Sequence, residues 1–168
     1  DRLVGTDKHA NWPASVKALP KLGGLDDTQL EALVRLKPDV VLLAKSARII
    51  ARLEALGIHV LALEPQTHAD VHRVLHTVAA VLQLPNAQEQ ADAVWQNIQR
   101  QVSQAKSNIP AQAINATFYF EASTGGYAAG EASFIGEIMR QMGLKNIVPT
   151  GMGAFPKLNP EFVVRANP

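Results

Sequence analysis

The chain has 168 residues, 47% of them hydrophobic, enough for one good core or two small ones. Sixteen Lys and Arg oppose fifteen Asp and Glu, so the net charge is +1 and no basic stripe points to nucleic acid. There is no cysteine, which excludes a disulfide framework, thiolate metal sites, iron–sulfur clusters and a Cys nucleophile.

In chain order, Leu3-Val4-Gly5 reads as the end of a short strand, and Thr6 to Asn11 as a polar loop. Pro13, Pro20 and Gly23-Gly24 break the next stretch. Asp26 or Asp27 is placed to cap a helix reaching Leu36, with Leu30, Leu33 and Leu36 on one face and Lys37-Pro38 as its stop. Val40 to Ala44 is a continuous apolar run, the pattern of a strand covered on both faces, and it is far too short to span a bilayer. Ser46 to Leu56 reads as a helix ended by Gly57, and His59 to Leu63 as a second buried strand. Thr67 with Asp70 has capping-box spacing and opens a helix to Leu82. This alternation predicts right-handed βαβ units and a parallel sheet, an α/β fold.

The next element is different in kind. Asn86 stands where a cap is needed, with Glu89 at the capping-box position. Ala91, Val94, Trp95, Ile98, Val102 and Ala105 follow at helical spacing, with no Gly or Pro before Pro110. About 20 residues make a rod of roughly 30 Å. Beyond it, Ala116 to Phe120 reads as a strand and Gly125, Gly126 and Gly130 as a loop. Ser133 to Met142 reads as a helix stopped by Gly143, and Ile147-Val148 as a short apolar piece. Asn159 caps a last helix with Pro160 at its first position, where a missing N–H costs nothing.

A repeat runs through this pattern. Leu30 to Pro38 and Pro160 to Pro168 each place a Glu in the first helical turn, an Arg four residues later and a Pro seven residues after the Glu. Upstream, Leu19-Pro20-Lys21-Leu22 is echoed by Phe155-Pro156-Lys157-Leu158. A strand follows Pro38 and nothing follows Pro168, so the second half's matching strand is expected to be missing, as is a first β-α unit before Val4.

His68, His72 and His76 are spaced i, i+4 and i+8 on one helix. Two His one turn apart can share a metal ion, but zinc sites want three or four converging ligands and no carboxylate is expected to join them on that face. The helix core centres on Val71, Leu75, Val78 and Leu82, which puts His68 at its edge and leaves His72 and His76 on a boundary or solvated stripe. Gly125, Gly126 and Gly130 lack the Gly-Lys-Ser/Thr ending of a phosphate loop, and no Gly-x-Ser-x-Gly elbow occurs.

Taken together, Leu3-Val4-Gly5-Thr6-Asp7, Asn11-Trp12-Pro13, Leu19 to Gly24, and Leu30-Glu31 with Leu36 to Val41 resemble the first lobe of the periplasmic solute-binding proteins for cobalamin, haem and iron-siderophores. Ser133-Phe134-Ile135, Gly143 to Ile147 and Asn159-Pro160-Glu161 resemble the second lobe. The resemblance implies an incomplete helical-backbone fold: an N-terminal lobe over 1–84, a bridging helix over 85–109 and a partial C-terminal lobe over 110–168. It implies a cleft between the lobes, lined by Lys8, His9, Asn11, Trp12, Lys45, Ser46, Gln66, Thr67, Glu121, Ser123, Tyr127 and Phe134. It implies docking through Glu31 and Glu161 onto arginines of the two subunits of an ABC permease. His9 replaces an aromatic of the cobalamin-binding member and Leu25 a Trp, and no Tyr stands near Gly24 as in haem-binding members.

The expected protein is therefore a monomeric periplasmic binding component of an ABC importer, its signal peptide outside this chain. It takes a small-molecule metal-chelate ligand, has no catalytic residues, is not inserted in a membrane, and needs no resident metal or cofactor, any iron or cobalt belonging to the cargo. The competing readings are a metal-cofactor enzyme or a periplasmic sensor domain on the same two-lobed frame.

Overall fold

A computed structural model describes residues 2–168. The chain forms two compact units, 1–64 and 65–168.

In the first unit, α1 (Leu30–Arg35), β1 (Val41–Leu43), α2 (Ile50–Ala55) and β2 (Val60–Ala62) follow one another. β1 and β2 pair in parallel, Val41 with Val60 and Leu43 with Ala62, so α2 is the crossover of a βαβ unit. Leu33, Ala47, Ile49 and Leu53 form the buried core, with Val41, Leu43 and Val60 packed against it. Leu53 is fully buried. Leu42, between two core-facing residues of β1, is 44% exposed. The expectation of a strand covered on both faces thus fails: side chains alternate along β1, and only the face toward α1 and α2 is covered.

Other local expectations also need correction. Leu3-Val4-Gly5 is not a strand; the contact there is a single parallel bridge from Thr6 to Lys21. Neither Asp26 nor Asp27 caps α1, whose N-cap is Gln29 with no side-chain cap bond. Asp27 instead accepts from the Gly24 N–H at 2.6 Å and from the Lys8 ammonium at 2.7 Å, a better offer for a carboxylate than one helical N–H.

The second unit opens on α3 (His68–Leu82) and α4 (Ala87–Ser107), which pack together along their lengths. The unit boundary therefore falls between Glu64 and Pro65, ahead of a helix that the sequence pattern places with the first lobe. α4 is an unbroken helix of 21 residues. Its apolar stripe finds its partner in α3: Ala91 is buried, and Trp95 lies against His68 and His72. Asn86 precedes α4 in a left-handed conformation and makes no side-chain cap bond, so the expected capping box with Glu89 does not form.

The α3 capping box does form. Thr67 Oγ1 accepts from the Asp70 N–H at 3.1 Å, and Asp70 Oδ2 accepts from the N–H groups of Thr67 and Gln66, both at 3.0 Å. The Arg73 guanidinium, 2.7 Å from the other Asp70 oxygen, and these backbone donors hold the Asp70 carboxyl well below the usual carboxylate range. A carboxyl whose folded pKa is depressed stabilises the fold above its unfolded pKa of about 3.9 and loses that contribution as pH falls toward the folded value. Asp70→Asn is therefore expected to lower Tm at neutral pH, with the gap to the parent narrowing steadily below about pH 4. Thermal scans by circular dichroism test this; a gap that stays constant down to pH 2 would refute the assignment.

After α4 come β3 (Thr117–Phe118), β4 (Glu121–Ser123), β5 (Tyr127–Ala128), α5 (Phe134–Gln141), β6 (Lys145–Asn146) and α6 (Pro160–Ala166). β3 and β6 are parallel, while β4 and β5 form an antiparallel hairpin where the glycines suggested only a loop. Ser133 caps α5, its hydroxyl accepting from the Gly136 N–H at 3.0 Å and donating to the Gly130 carbonyl at 2.7 Å. A Cβ on Gly136 would lie 2.1 Å from that same carbonyl, so only glycine lets α5 sit so close to the chain before it. Ala128, Val148 and Leu158 form the core of this half, with Phe162 and Val163 of α6 against it. Two parallel β-α ladders thus flank one long helix in chain order, as the sequence pattern requires.

Candidate functional site

In the first unit a groove of about 490 Å³ opens beside β1. Its walls are mostly apolar, including Val4, Leu22, Val40 and Leu42, with Thr6, Asp7 and His9 as polar groups. That mixture, a greasy concavity with a few placed polar groups, is what small-molecule sites are made of. Asp7 shapes the polar end: its Oδ1 accepts from the N–H groups of His9 at 2.7 Å and Ala10 at 3.1 Å, fixing the turn that carries His9.

Of the ligand residues expected in this unit, only His9 belongs to the groove lining. Asn11 and Trp12 lie on the exposed loop that follows, and Trp12 is 84% exposed. Lys45 and Ser46 sit in an exposed turn just after β1, at its carboxyl end, where open α/β sheets present ligand-contacting loops. Lys8 is engaged by Asp27 in an exposed ion pair that also lowers the Asp27 pKa. The apolar wall was missed because Leu22 and Leu42 have the pattern of core residues; nothing in their spacing tells a covered face from an open one.

In the second unit, Glu121, Ser123 and Tyr127 are brought together on the β4–β5 hairpin, Ser123 paired across to Tyr127. All three are exposed, and the Lys157 ammonium stands 6.0 Å from the centre of the Tyr127 ring. Gln66 and Thr67 are exposed at the start of α3, where the Thr67 hydroxyl oxygen is taken up as a cap. The His68 N–H donates to Glu137 Oε2 at 2.8 Å, which ties that start to α5, the helix that begins with Phe134. Phe134 itself is half-buried.

The repeat has a structural counterpart in both units. Glu31 and Glu161 each occupy the second position of a short helix, and both side chains are exposed. Neither has an ion-pair partner among the described residues. Both helices are followed by a left-handed residue before proline, Lys37 at φ 47° and Asn167 at φ 46°. Upstream, Lys21 and Lys157 each make an isolated β-bridge, to Thr6 and Tyr127. The next residue's N–H is bonded in both cases, Leu22 to Thr6 O and Leu158 to Gly126 O, each at 2.8 Å.

The histidines of α3 depart from expectation. His68 is 6% exposed rather than marginal, its ring 4.8 Å from that of Trp95. His72 and His76 are joined by a carboxylate after all: Asp92, from the neighbouring α4, brings Oδ1 within 2.9 Å of His76 Nε2 and 3.7 Å of His72 Nε2. A search of α3's own face could not find a partner supplied by the next helix. Among the described residues no helix is long and apolar enough to cross a membrane.

The sequence matches the family model described as "Periplasmic binding protein" over residues 1–168. No curated protein matches it. Among solved structures, a possible iron-binding periplasmic solute-binding protein from Staphylococcus epidermidis shares 18% identity at a TM-score of 0.81, over 98% of this chain and 66% of that one. The vitamin B12-binding protein BtuF of Vibrio cholerae shares 19% identity at a TM-score of 0.78, over 99% and 65%. The periplasmic haem-binding protein BhuT, solved with two haems, shares 25% identity at a TM-score of 0.80, over 99% and 65%. The chain thus spans about 65% of the length of these structures.

Proposed function

Because the chain belongs to the periplasmic binding protein family, a family of substrate-binding proteins, we propose that it captures a metal chelate in the periplasm and delivers it to the permease dimer of an ABC importer. The observation that carries this reading is the matched pair of Glu31 and Glu161. Two exposed carboxylates without ion-pair partners among the described residues, each at the second position of equivalent helices, are what a two-point electrostatic dock requires. A first-turn Glu also answers the helix dipole, but that local benefit does not explain why helix, left-handed stop and proline recur with it.

The cargo class is an iron-siderophore, haem or cobalamin-type chelate. The 25% identity to a haem-binding protein favours a flat tetrapyrrole among these. His9 at the polar end of the apolar groove, with Asn11 and Trp12 beside it in the chain, is our choice for cargo contacts in the first unit; Lys45 and Ser46 add a second loop. In the second unit we assign Glu121, Ser123 and Tyr127 of the hairpin, Gln66 and Thr67, and Phe134. We retain the division into a lobe over 1–84, a bridging helix over 85–109 and a lobe over 110–168, acting as a monomer.

Titration with haem, cobalamin and several ferric siderophores, read by tryptophan fluorescence, tests the cargo class. One of them is expected to quench saturably, and Trp12→Phe is expected to remove most of that signal, because the Trp12 ring is open to an incoming chelate while Trp95 is held against His68 and His72. If none of these compounds quenches, the cargo lies outside this class.

A further inference from the structure

We propose that His72, His76 and Asp92 form a site for a borderline divalent transition-metal ion such as Zn2+, which ties α3 to α4 outside the cargo-binding residues. The two histidines are one helical turn apart and so stand on the same face of α3. Their Nε2 atoms are 3.1 Å apart. Asp92 Oδ1 completes a triangle, 2.9 Å from His76 Nε2 and 3.7 Å from His72 Nε2.

The triangle has the right size. The point equidistant from corners so spaced lies about 1.9 Å from each, so an ion at the usual zinc–ligand distance of about 2.0–2.1 Å sits just out of their plane. That is the position of a metal on three corners of a tetrahedron. The fourth corner faces outward, since Asp92 and His72 are about half exposed, and water can fill it.

The hydrogen bonds around the triangle prepare it. Gln88 Nε2 lies 3.4 Å from the His76 carbonyl, which turns Gln88 Oε1 toward His76 Nδ1 at 2.5 Å. Nδ1 must therefore carry a proton, and in the neutral ring Nε2 is left as a lone pair aimed at Asp92 and His72. Asp92 Oδ1 and the His76 Nε2 lone pair, 2.9 Å apart, attract each other only through a cation held between them, a proton or a metal ion. A histidine oriented by an amide oxygen on its far nitrogen is the usual second support of a metal ligand. On the other side, the Trp95 ring lies 5.1 Å from that of His72 and limits its swing. Arg73, the cation nearest in sequence, is turned to Asp70 at 2.7 Å. Two nitrogens and one carboxylate oxygen suit zinc, nickel or copper rather than magnesium or calcium, which prefer all-oxygen shells.

Calorimetric titration of the purified chain with Zn2+ is the test, with Cu2+ quenching of Trp95 in a Trp12→Phe background as a local readout. One equivalent should bind saturably, raise Tm through linkage, and be excluded by neither haem nor cobalamin. His76→Ala and Asp92→Ala should each remove saturable binding, while Gln88→Ala should weaken it about tenfold. Gln88 and Asp92 are exposed and His76 is half-buried at the helix surface, and alanine is a good helix former, so circular dichroism should stay unchanged. Zn2+ affinity unaltered by both His76→Ala and Asp92→Ala would place the ion elsewhere and overturn the proposal, as would no saturable binding by the parent chain.

Discussion

Uptake by the reconstituted importer is expected to fall tenfold or more when Glu31 and Glu161 are both replaced by alanine, with cargo affinity unchanged. Each carboxylate is exposed and has no ion-pair partner among the described residues, so its removal breaks no ion pair there. At an interface with arginines, each loses a charge-assisted pair and leaves a partly desolvated guanidinium behind, a loss of about 2–5 kcal/mol where the pair is buried. Either single substitution should give an intermediate loss. The parent's docking should weaken with ionic strength, as screening at about 0.15 M salt reaches within roughly 8 Å. Transport in proteoliposomes, run beside a cargo titration of the same variants, separates docking from binding. Undiminished uptake by the double variant would remove the docking role, and a matching loss of cargo affinity would point to misfolding or a direct cargo contact.

Leu53→Ala is expected to destabilise the first unit by about 2–5 kcal/mol. Leu53 is fully buried among Leu33, Ala47 and Ile49, with Val41, Leu43 and Val60 packed around that small group. In a core of this size no other large side chain can collapse into the gap without uncovering the strands. The β1–β2 ladder and its extension, in which Val41 N–H bonds to His59 O at 2.9 Å and Leu63 N–H to Leu43 O at 2.8 Å, report on it directly. Amide exchange at Val41 and Leu63 should speed up by about thirtyfold or more, since each 1.4 kcal/mol is a factor of ten. Leu42→Ala, on the uncovered face of the same strand, is the control and should change exchange little. Equal effects of the two substitutions would mean that the core has been misplaced.

The candidate sites divide along the same line as these predictions. Glu31 and Glu161 were legible as a repeat because a first-turn Glu, an Arg and a Pro at fixed offsets form a pattern within one short segment, whereas their docking role is what the family resemblance implies. Thr67 and Asp70 were found for the same reason, and both of their reciprocal hydrogen bonds are made. Asp26 and Asp27 looked equally good as caps, yet Asp27 had a competing offer from Lys8, nineteen residues away in the chain. Asn86 failed as a cap because its backbone turns left-handed to join α3 to α4. His72 and His76 were seen as a pair, but the oxygen that makes them a site comes from α4, sixteen residues beyond His76.

By itself, the sequence determined most of the element types and their order, the Leu3-Val4-Gly5 segment and the β4–β5 hairpin excepted. Hydrophobic period, Gly and Pro stops and local caps act over a few residues, and that is enough to specify two parallel β-α ladders, one long unbroken helix and a repeated glutamate-bearing turn. Tertiary structure alone decided which side of β1 stays open, which carboxylate serves a cap and which an ion pair, and that α3 pairs with α4. Those outcomes depend on groups that meet only after folding, and competition among distant partners for one oxygen or one apolar face leaves no trace in spacing along the chain.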